Sequence, residues 1–166
     1  PEAQLDRFML RIRLGYPAPL QEIVILDEQK RTHPLDALPV VAQVDELMEM
    51  QAGVREIYVD SAISDYIVRL VNATRTHPDV YLGASPRGSL ALYRAGQAYA
   101  ATSGRDFVIP DDIKILAEPA LAHRLIVRTA ATIRDVAAGA IVRELLDVVP
   151  VDGRIAAPGN RGQLPV

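Results

Sequence analysis

Residues 85–104 carry the start and stop signals of one long α-helix, and this feature constrains the fold more than any other. Ser85 can cap the amino end, Pro86 suits the first helical position, and Gly104 suits the position just past the end. The stretch between them is rich in alanine, above all over residues 91–101. Small side chains let helices pack closely, so we expect this helix to lie within a helical bundle.

The spacing of apolar residues predicts further helices on both sides of this one. The clearest begins at Asp60 or Ser61 and continues to about Arg75. Its predicted buried face consists of Ile63, Tyr66, Ile67, Leu70 and Val71. Other helices are predicted over residues 19–30, 42–52, 110–121 and 138–148, and a short strand over 124–127. The inward positions of the first two would be Leu20, Ile23, Val24, Leu26, Val44, Leu47 and Met48. The predicted fold class is all-α, a helical bundle.

The segment 8–14 has a different period. Phe8, Leu10, Ile12 and Leu14 alternate with Met9, Arg11 and Arg13, which predicts a strand with one buried side. A single strand cannot satisfy its own backbone groups, and no later segment offers an obvious sheet. We therefore expect a fragment of a longer protein: a strand-bearing stub over residues 1–17, a helical bundle over 18–150, and a disordered tail over 151–166.

Composition excludes several kinds of site. The chain has no cysteine, which removes disulfides and thiolate chemistry and fits a cytoplasmic location. A net charge of -3 argues against binding nucleic acid. No apolar stretch reaches the roughly 20 residues of a membrane span. His33, His77 and His123 are scattered, so no metal site is predicted. No phosphate-binding loop of the Gly-x-x-x-x-Gly-Lys-Ser/Thr type occurs either.

Arg87 and Arg7 are the candidate functional residues. Arg87 falls in the first turn of the 85–104 helix, where the helix dipole is already positive, and a bound anion would relieve this mismatch. Gly83 and Gly88 would let a ligand approach the backbone closely. Arg7 precedes the predicted strand, where it could reach a phosphate across an interface. On these residues alone, solvated arginines are the favoured interpretation for both positions, and Asp111 and Asp112 are explained by helix capping.

Four motifs together resemble the MoxR family of AAA+ ATPases. They are Pro-Glu-Ala-Gln-Leu-Asp-Arg-Phe at 1–8, His-Pro-Leu-Asp at 33–36, Gly-Ala-Ser-Pro-Arg at 83–87 and Pro-Asp-Asp-Ile-Lys at 110–114. Their order and spacing are similar to those of the family, over residues 1–150. Gly88 departs from the pattern, because alanine or another good helix former is usual there.

The resemblance implies a specific role for each region. Residues 1–17 would end an α/β nucleotide-binding core, and residues 18–150 would form the helical lid. Arg87 would be the sensor-two arginine that contacts the ATP of its own subunit, with Ser85 at the helix end near the phosphate. Arg7 would be the arginine finger, a catalytic residue offered in trans to the ATP of the adjacent subunit. ATP and Mg would be held mainly by the core, so the chain alone should be inactive.

The resemblance also implies partners. Such ATPases form rings, usually hexamers, and act as chaperone-like machines on client protein complexes, many together with a von Willebrand factor A domain partner. Three other interpretations stay open at this point: the lid of a magnesium-chelatase-like AAA+ subunit, a helical protein-interaction module without a nucleotide role, and a helical DNA-binding domain, against which the acidic charge balance counts.

Overall fold

The computed structural model describes residues 2–30 and 33–151, and most of them are helical. In chain order the helices and strands are α1 Glu2–Leu5, α2 Pro19–Glu28, α3 Val44–Glu56, α4 Ser61–Thr76, β1 Val80–Leu82, α5 Pro86–Thr102, α6 Pro110–Leu121, β2 Ile126–Val127, α7 Thr129–Thr132 and α8 Ala138–Val148. The predicted all-α fold class is confirmed. A short antiparallel pair of strands accompanies the helices, with Val80 opposite Val127 and Leu82 opposite Ile126.

The predicted helix boundaries are most accurate where local signals are strong. The Ser85 hydroxyl accepts a hydrogen bond from the Arg87 backbone N–H at 3.2 Å, as an N-cap should. Gly104, two residues past the end of α5, has a φ of 72°, which favours glycine. Asp60 caps α4 by accepting from the Ala62 N–H at 2.8 Å. The predicted helices over 110–121 and 138–148 agree with α6 and α8 at both ends.

The core lies between α4, α5, α6 and α8. All five residues predicted for the buried face of α4 are indeed buried. The other large apolar side chains of this core are Val80, Leu92, Val108, Ile113, Leu121, Leu125, Ile141, Val142 and Leu145. Ala91, Ala95, Gly96 and Ala100 form the buried face of α5, which confirms that its small residues serve close packing.

The described residues divide into two compact units, 2–11 with 53–151, and 12–30 with 33–52. The first contains the core just described. In the second, α2 has no buried residue, and Leu20, Ile23, Val24 and Leu26 are all exposed, as are Val44, Leu47 and Met48. The prediction that these positions point inward is therefore wrong. Helical periodicity identifies the apolar side of a helix but cannot show that another layer covers it.

The predicted strand over residues 8–14 is also wrong, because this segment has no regular secondary structure. Its backbone groups find partners other than a sheet. The Arg11 N–H donates to the Pro119 carbonyl at 2.9 Å, and the Phe8 carbonyl accepts from the Arg124 guanidinium at 2.7 Å. A β-strand forms only where a second strand provides a row of backbone hydrogen bonds. In the described residues, segment 8–14 makes isolated hydrogen bonds instead.

The domain division predicted over 1–17, 18–150 and 151–166 stays a prediction, and the proposed disordered tail lies outside the described residues except for Val151. Within the described ranges, no helix combines the length and apolarity needed to cross a membrane.

Candidate functional site

The segment that leads into α5 is fixed by the carboxyl end of α4. The buried Thr74 hydroxyl accepts from the Ala84 N–H at 3.0 Å and donates to the Val71 carbonyl at 2.6 Å. The Arg75 Nε donates to the Ala84 carbonyl at 2.8 Å. These bonds place Ser85 at the tip of α5, and Arg87 in the first turn, on an anchored backbone.

Gly83 and Gly88 each lie against other parts of the protein on the side where a Cβ would project. A Cβ at Gly83 would lie 2.6 Å from the Arg75 Cα, so the protein's own backbone fills the space. A Cβ at Gly88 would meet the Leu121 side chain at 3.0 Å and the Ala84 Cβ at 3.1 Å. Both glycines therefore serve close packing around the start of α5. The contact at Gly88 also accounts for the absence of a larger residue there.

Asp6 connects the amino-terminal segment to the tip of α5. The Ser85 hydroxyl donates to the two Asp6 carboxylate oxygens, at 3.1 and 3.0 Å. The same carboxylate lies 3.3 Å from Nε of Arg124, whose side chain is buried. Asp6 therefore contacts the N-cap of the helix that carries Arg87, and it is the sequence neighbour of Arg7.

Arg124 is a buried cation that binds the backbone of the same segment. Its Nη2 donates to the Phe8 carbonyl at 2.7 Å and to the Asp6 carbonyl at 3.3 Å. Its Nη1 donates to the Met9 carbonyl at 3.2 Å and to the Ala120 carbonyl. Burial lowers the pKa of Arg124 from its usual value, while the Asp6 charge acts in the opposite direction.

Arg7 and Arg87, which lie 80 positions apart in the sequence, line one shallow cavity of 220 Å³. The other lining residues are Asp6, Met9, Leu90, Ala91, Arg94 and Arg124. Four arginines and a single carboxylate thus surround this space in a chain whose net charge is negative. We call it the arginine cavity. Pockets that enclose a drug-sized ligand have volumes of roughly 300–1,000 Å³, so this one suits a phosphate group better than a whole nucleotide.

The two candidate arginines are available for a ligand. Both are exposed, and within residues 2–30 and 33–151 neither side chain makes a hydrogen bond or an ion pair. Arg94 is also exposed, and it donates to the Gln97 side chain at 3.0 Å. The lining of the arginine cavity is mainly apolar, so the arginines border it largely through the carbon chains of their side chains. Exposed guanidinium groups in a region with few carboxylates are suited to binding an anion.

A larger cavity of 790 Å³ lies beside the arginine cavity and shares Asp6 and Arg124 with it. Its lining is mainly apolar, with Tyr81, Leu82, Leu125 and Ile126 on its walls. His123 also contributes, and its Nε2 lies 3.0 Å from the Phe8 carbonyl oxygen. Burial lowers the pKa of His123 below its usual value of 6.5.

Sequence reasoning identified three of the residues at this site and missed others. It selected Arg7, Ser85 and Arg87. The structure brings Arg7 and Arg87 to one cavity, whereas Ser85 lines the larger cavity beside it and donates to Asp6. It did not select Asp6, Arg94 or Arg124, which also line the arginine cavity. The spacing of Arg87, Leu90, Ala91 and Arg94 along one face of α5 would have indicated Arg94, whereas nothing local indicates that Arg124 binds residues 6–9.

Comparison with known proteins defines the class first. Residues 72–145, which include α5, α6 and the tip that carries Ser85 and Arg87, match the AAA lid domain. A crystal structure of a provisionally named ATPase from Cytophaga hutchinsonii superposes with a TM-score of 0.82 at 27% identity, covering 91% of this chain and 48% of that one. The helical bundle with the arginine cavity is therefore an AAA lid.

The particular family follows from relatives that match most of the chain. The chaperone MoxR1 of Mycobacterium tuberculosis is 33% identical over 174 residues, covering 99% of this chain and 46% of its own. The protein MoxR of Paracoccus denitrificans is 30% identical, and the match covers 44% of its length. The uncharacterised protein YeaC of Bacillus subtilis is 45% identical, and the match covers 47% of its length. This chain belongs to the MoxR family of AAA+ ATPases, and it spans about half the length of these relatives.

Proposed function

We propose that this chain is the lid part of a MoxR-type AAA+ ATPase and that its arginine cavity binds the phosphates of ATP. The observation that carries the proposal is the convergence of Arg7 and Arg87, both unpaired within the described residues, on one cavity. Phosphoryl transfer spreads negative charge over the γ-phosphate oxygens, and cations placed there lower the barrier. Family membership supports ATP as the source of those phosphates.

The roles of the individual residues are part of this proposal. Arg87 contacts the phosphates from a rigid helix, as a sensor-two arginine, and Ser85 holds the amino end of that helix in place. Arg7 acts as the arginine finger. Arg94 lines the same cavity about two turns further along α5 and adds a third cation. ATP and Mg are held mainly by the nucleotide-binding core of the full-length protein.

Because Arg7 and Arg87 line the same cavity, they could contact one nucleotide and not the nucleotides of two subunits. The family resemblance assigns Arg87 to the ATP of its own subunit and Arg7 to that of a neighbour. Two arginines on one cavity can instead contact the same phosphate chain. Substitutions at two residues that share a ligand are not additive, so a double-mutant cycle on ATP affinity distinguishes the two arrangements.

The cellular role follows from the family. We propose that the full-length protein assembles into a ring of six in the cytoplasm and uses hydrolysis to move the lid against the core. Loss of the γ-phosphate removes the anion that the arginines hold, which frees the lid. The motion would serve chaperone-like maturation of a client protein complex, with a von Willebrand factor A domain protein as a partner.

Steady-state ATP hydrolysis by the full-length ring tests this function. Arg87→Ala should lower kcat/KM by about tenfold or more, because it removes a charge-assisted contact to the phosphates. Arg55→Ala is the matched control. Arg55 is also exposed and its loss changes the net charge equally, but it lies outside the arginine cavity. Unaltered turnover and nucleotide affinity in Arg87→Ala would contradict the proposal.

A further inference from the structure

Arg7 has little secondary structure of its own to hold it in place. It follows α1, a helix of only four residues, and the segment after it has no regular secondary structure up to residue 18. Arg87, in contrast, is part of the 17-residue helix α5. The two cations that line the arginine cavity therefore differ in how their positions are fixed, and Arg7 needs contacts from outside its own segment.

Those contacts come from Arg124. The two carbonyl groups on either side of Arg7, those of Asp6 and Phe8, both accept from Nη2 of Arg124. Because the Arg124 side chain is buried against α6, these bonds fix the backbone at Arg7 to the helical bundle. A guanidinium can reach several carbonyls at once, which an ammonium group cannot do in the same geometry.

The Asp6 carboxylate completes the arrangement. It lies between the Ser85 hydroxyl and the Arg124 guanidinium, so it ties the tip of α5 to the residue that holds the backbone of Arg7. It is also the acidic residue among those that line the arginine cavity, where it offsets part of the repulsion between four cations. Without that charge, Arg7 should move away from the arginine cavity, because it is more weakly anchored than Arg87.

We propose that Asp6 and Arg124 are positioning residues that hold the Arg7 side chain at the arginine cavity beside Arg87. The inference rests on the proposed phosphate-binding function of that cavity. It makes a selective claim: the contribution of Arg7 to phosphate binding depends on Asp6, whereas the contribution of Arg87 does not. A purely structural role for Asp6 would weaken both contributions together.

Calorimetric titration of the chain with inorganic tripolyphosphate at low salt tests the claim. Arg7→Ala and Arg87→Ala are each measured with Asp6 intact and in an Asp6→Asn background. Asparagine keeps an oxygen that can accept from Ser85 but removes the charge. With Asp6 intact, each arginine substitution should weaken binding by about tenfold. In the Asp6→Asn background, Arg87→Ala should keep that effect, and Arg7→Ala should weaken binding by less than about twofold.

The possible outcomes separate the two proposals. If Arg7→Ala has the same effect in both backgrounds, the positioning role is overturned and phosphate binding stands. If Arg87→Ala has no effect while Asp6 is intact, the proposed function itself fails, and the inference fails with it. Arg124→Lys, which keeps the charge but loses the multiple carbonyl contacts, should reproduce the selective loss of the Arg7 effect. Circular dichroism of each variant confirms that the helices are intact.

Discussion

Asp112 and Arg105 form a two-pronged ion pair at the start of α6, with Arg105 donating to the two carboxylate oxygens at 2.8 and 2.6 Å. The Asp112 side chain is only 2% exposed, and it also accepts from the Ile109 N–H at 2.9 Å. The hydrogen bond between Arg105 and the Asp112 carboxylate raises the pKa of Arg105. Asp111, the preceding residue, is 72% exposed and pairs with Lys114 at 3.3 Å. Helix capping therefore explains only part of what Asp112 does.

Asp112→Ala should lower the free energy of unfolding by about 3 kcal/mol, because it leaves a partly buried guanidinium without its partner. Asp111→Ala removes the same charge from the same helix turn and should cost less than about 1 kcal/mol. Urea denaturation of both variants measures the difference. Equal losses would contradict the distinction drawn between the two carboxylates.

Gly83→Ala should lower the free energy of unfolding by about 1–3 kcal/mol, since its Cβ would overlap the Arg75 backbone. Gly53→Ala is the control, because a Cβ there meets no atom within 4 Å and the residue lies inside α3. Alanine favours a helix over glycine, so this variant should be unchanged or more stable by up to about 1 kcal/mol. Thermal melts of the two variants compare the sites, and a Gly83→Ala protein as stable as wild type would refute the close approach.

His123 should make the fold less stable in mild acid. Burial lowers its pKa below the usual 6.5, so the unfolded chain takes up a proton first as the pH falls. The stability that neutral His123 contributes is complete above pH 6.5 and is lost as the pH falls towards the folded-state pKa. His123→Gln removes this dependence. The difference in unfolding free energy between wild type and variant should therefore decrease from pH about 7.5 to about 5.5. A difference that stays constant with pH would show that His123 does not titrate in this way.

Local signals allowed much of the fold to be predicted. A capping residue, a proline at the first helical position and a terminal glycine all act within a few residues, which is why the prediction for α5 agrees closely with its observed limits. The strand predicted over residues 8–14 failed because a strand depends on a distant partner. The exposure of Leu20 and Val44 was missed because periodicity does not reveal what covers a helix.

The candidate site was predictable only in part for the same reason. A cation in the first turn of a helix is a local anomaly, so Arg87 could be selected as a candidate from its neighbours. The bond between Asp6 and Ser85 joins residues 79 positions apart, and Arg124 reaches Phe8 across 116 positions. No local pattern encodes such contacts, and folding alone brings them together.

Binding of inorganic tripolyphosphate to the chain, measured by calorimetry at low salt, tests the central claim most directly, because it needs neither the nucleotide-binding core nor a partner. Wild type and Arg55→Ala should bind with the same affinity, and Arg87→Ala should bind about tenfold more weakly or worse. Equal affinities for all three proteins would contradict the account, because they would show that the arginine cavity does not hold phosphates through Arg87.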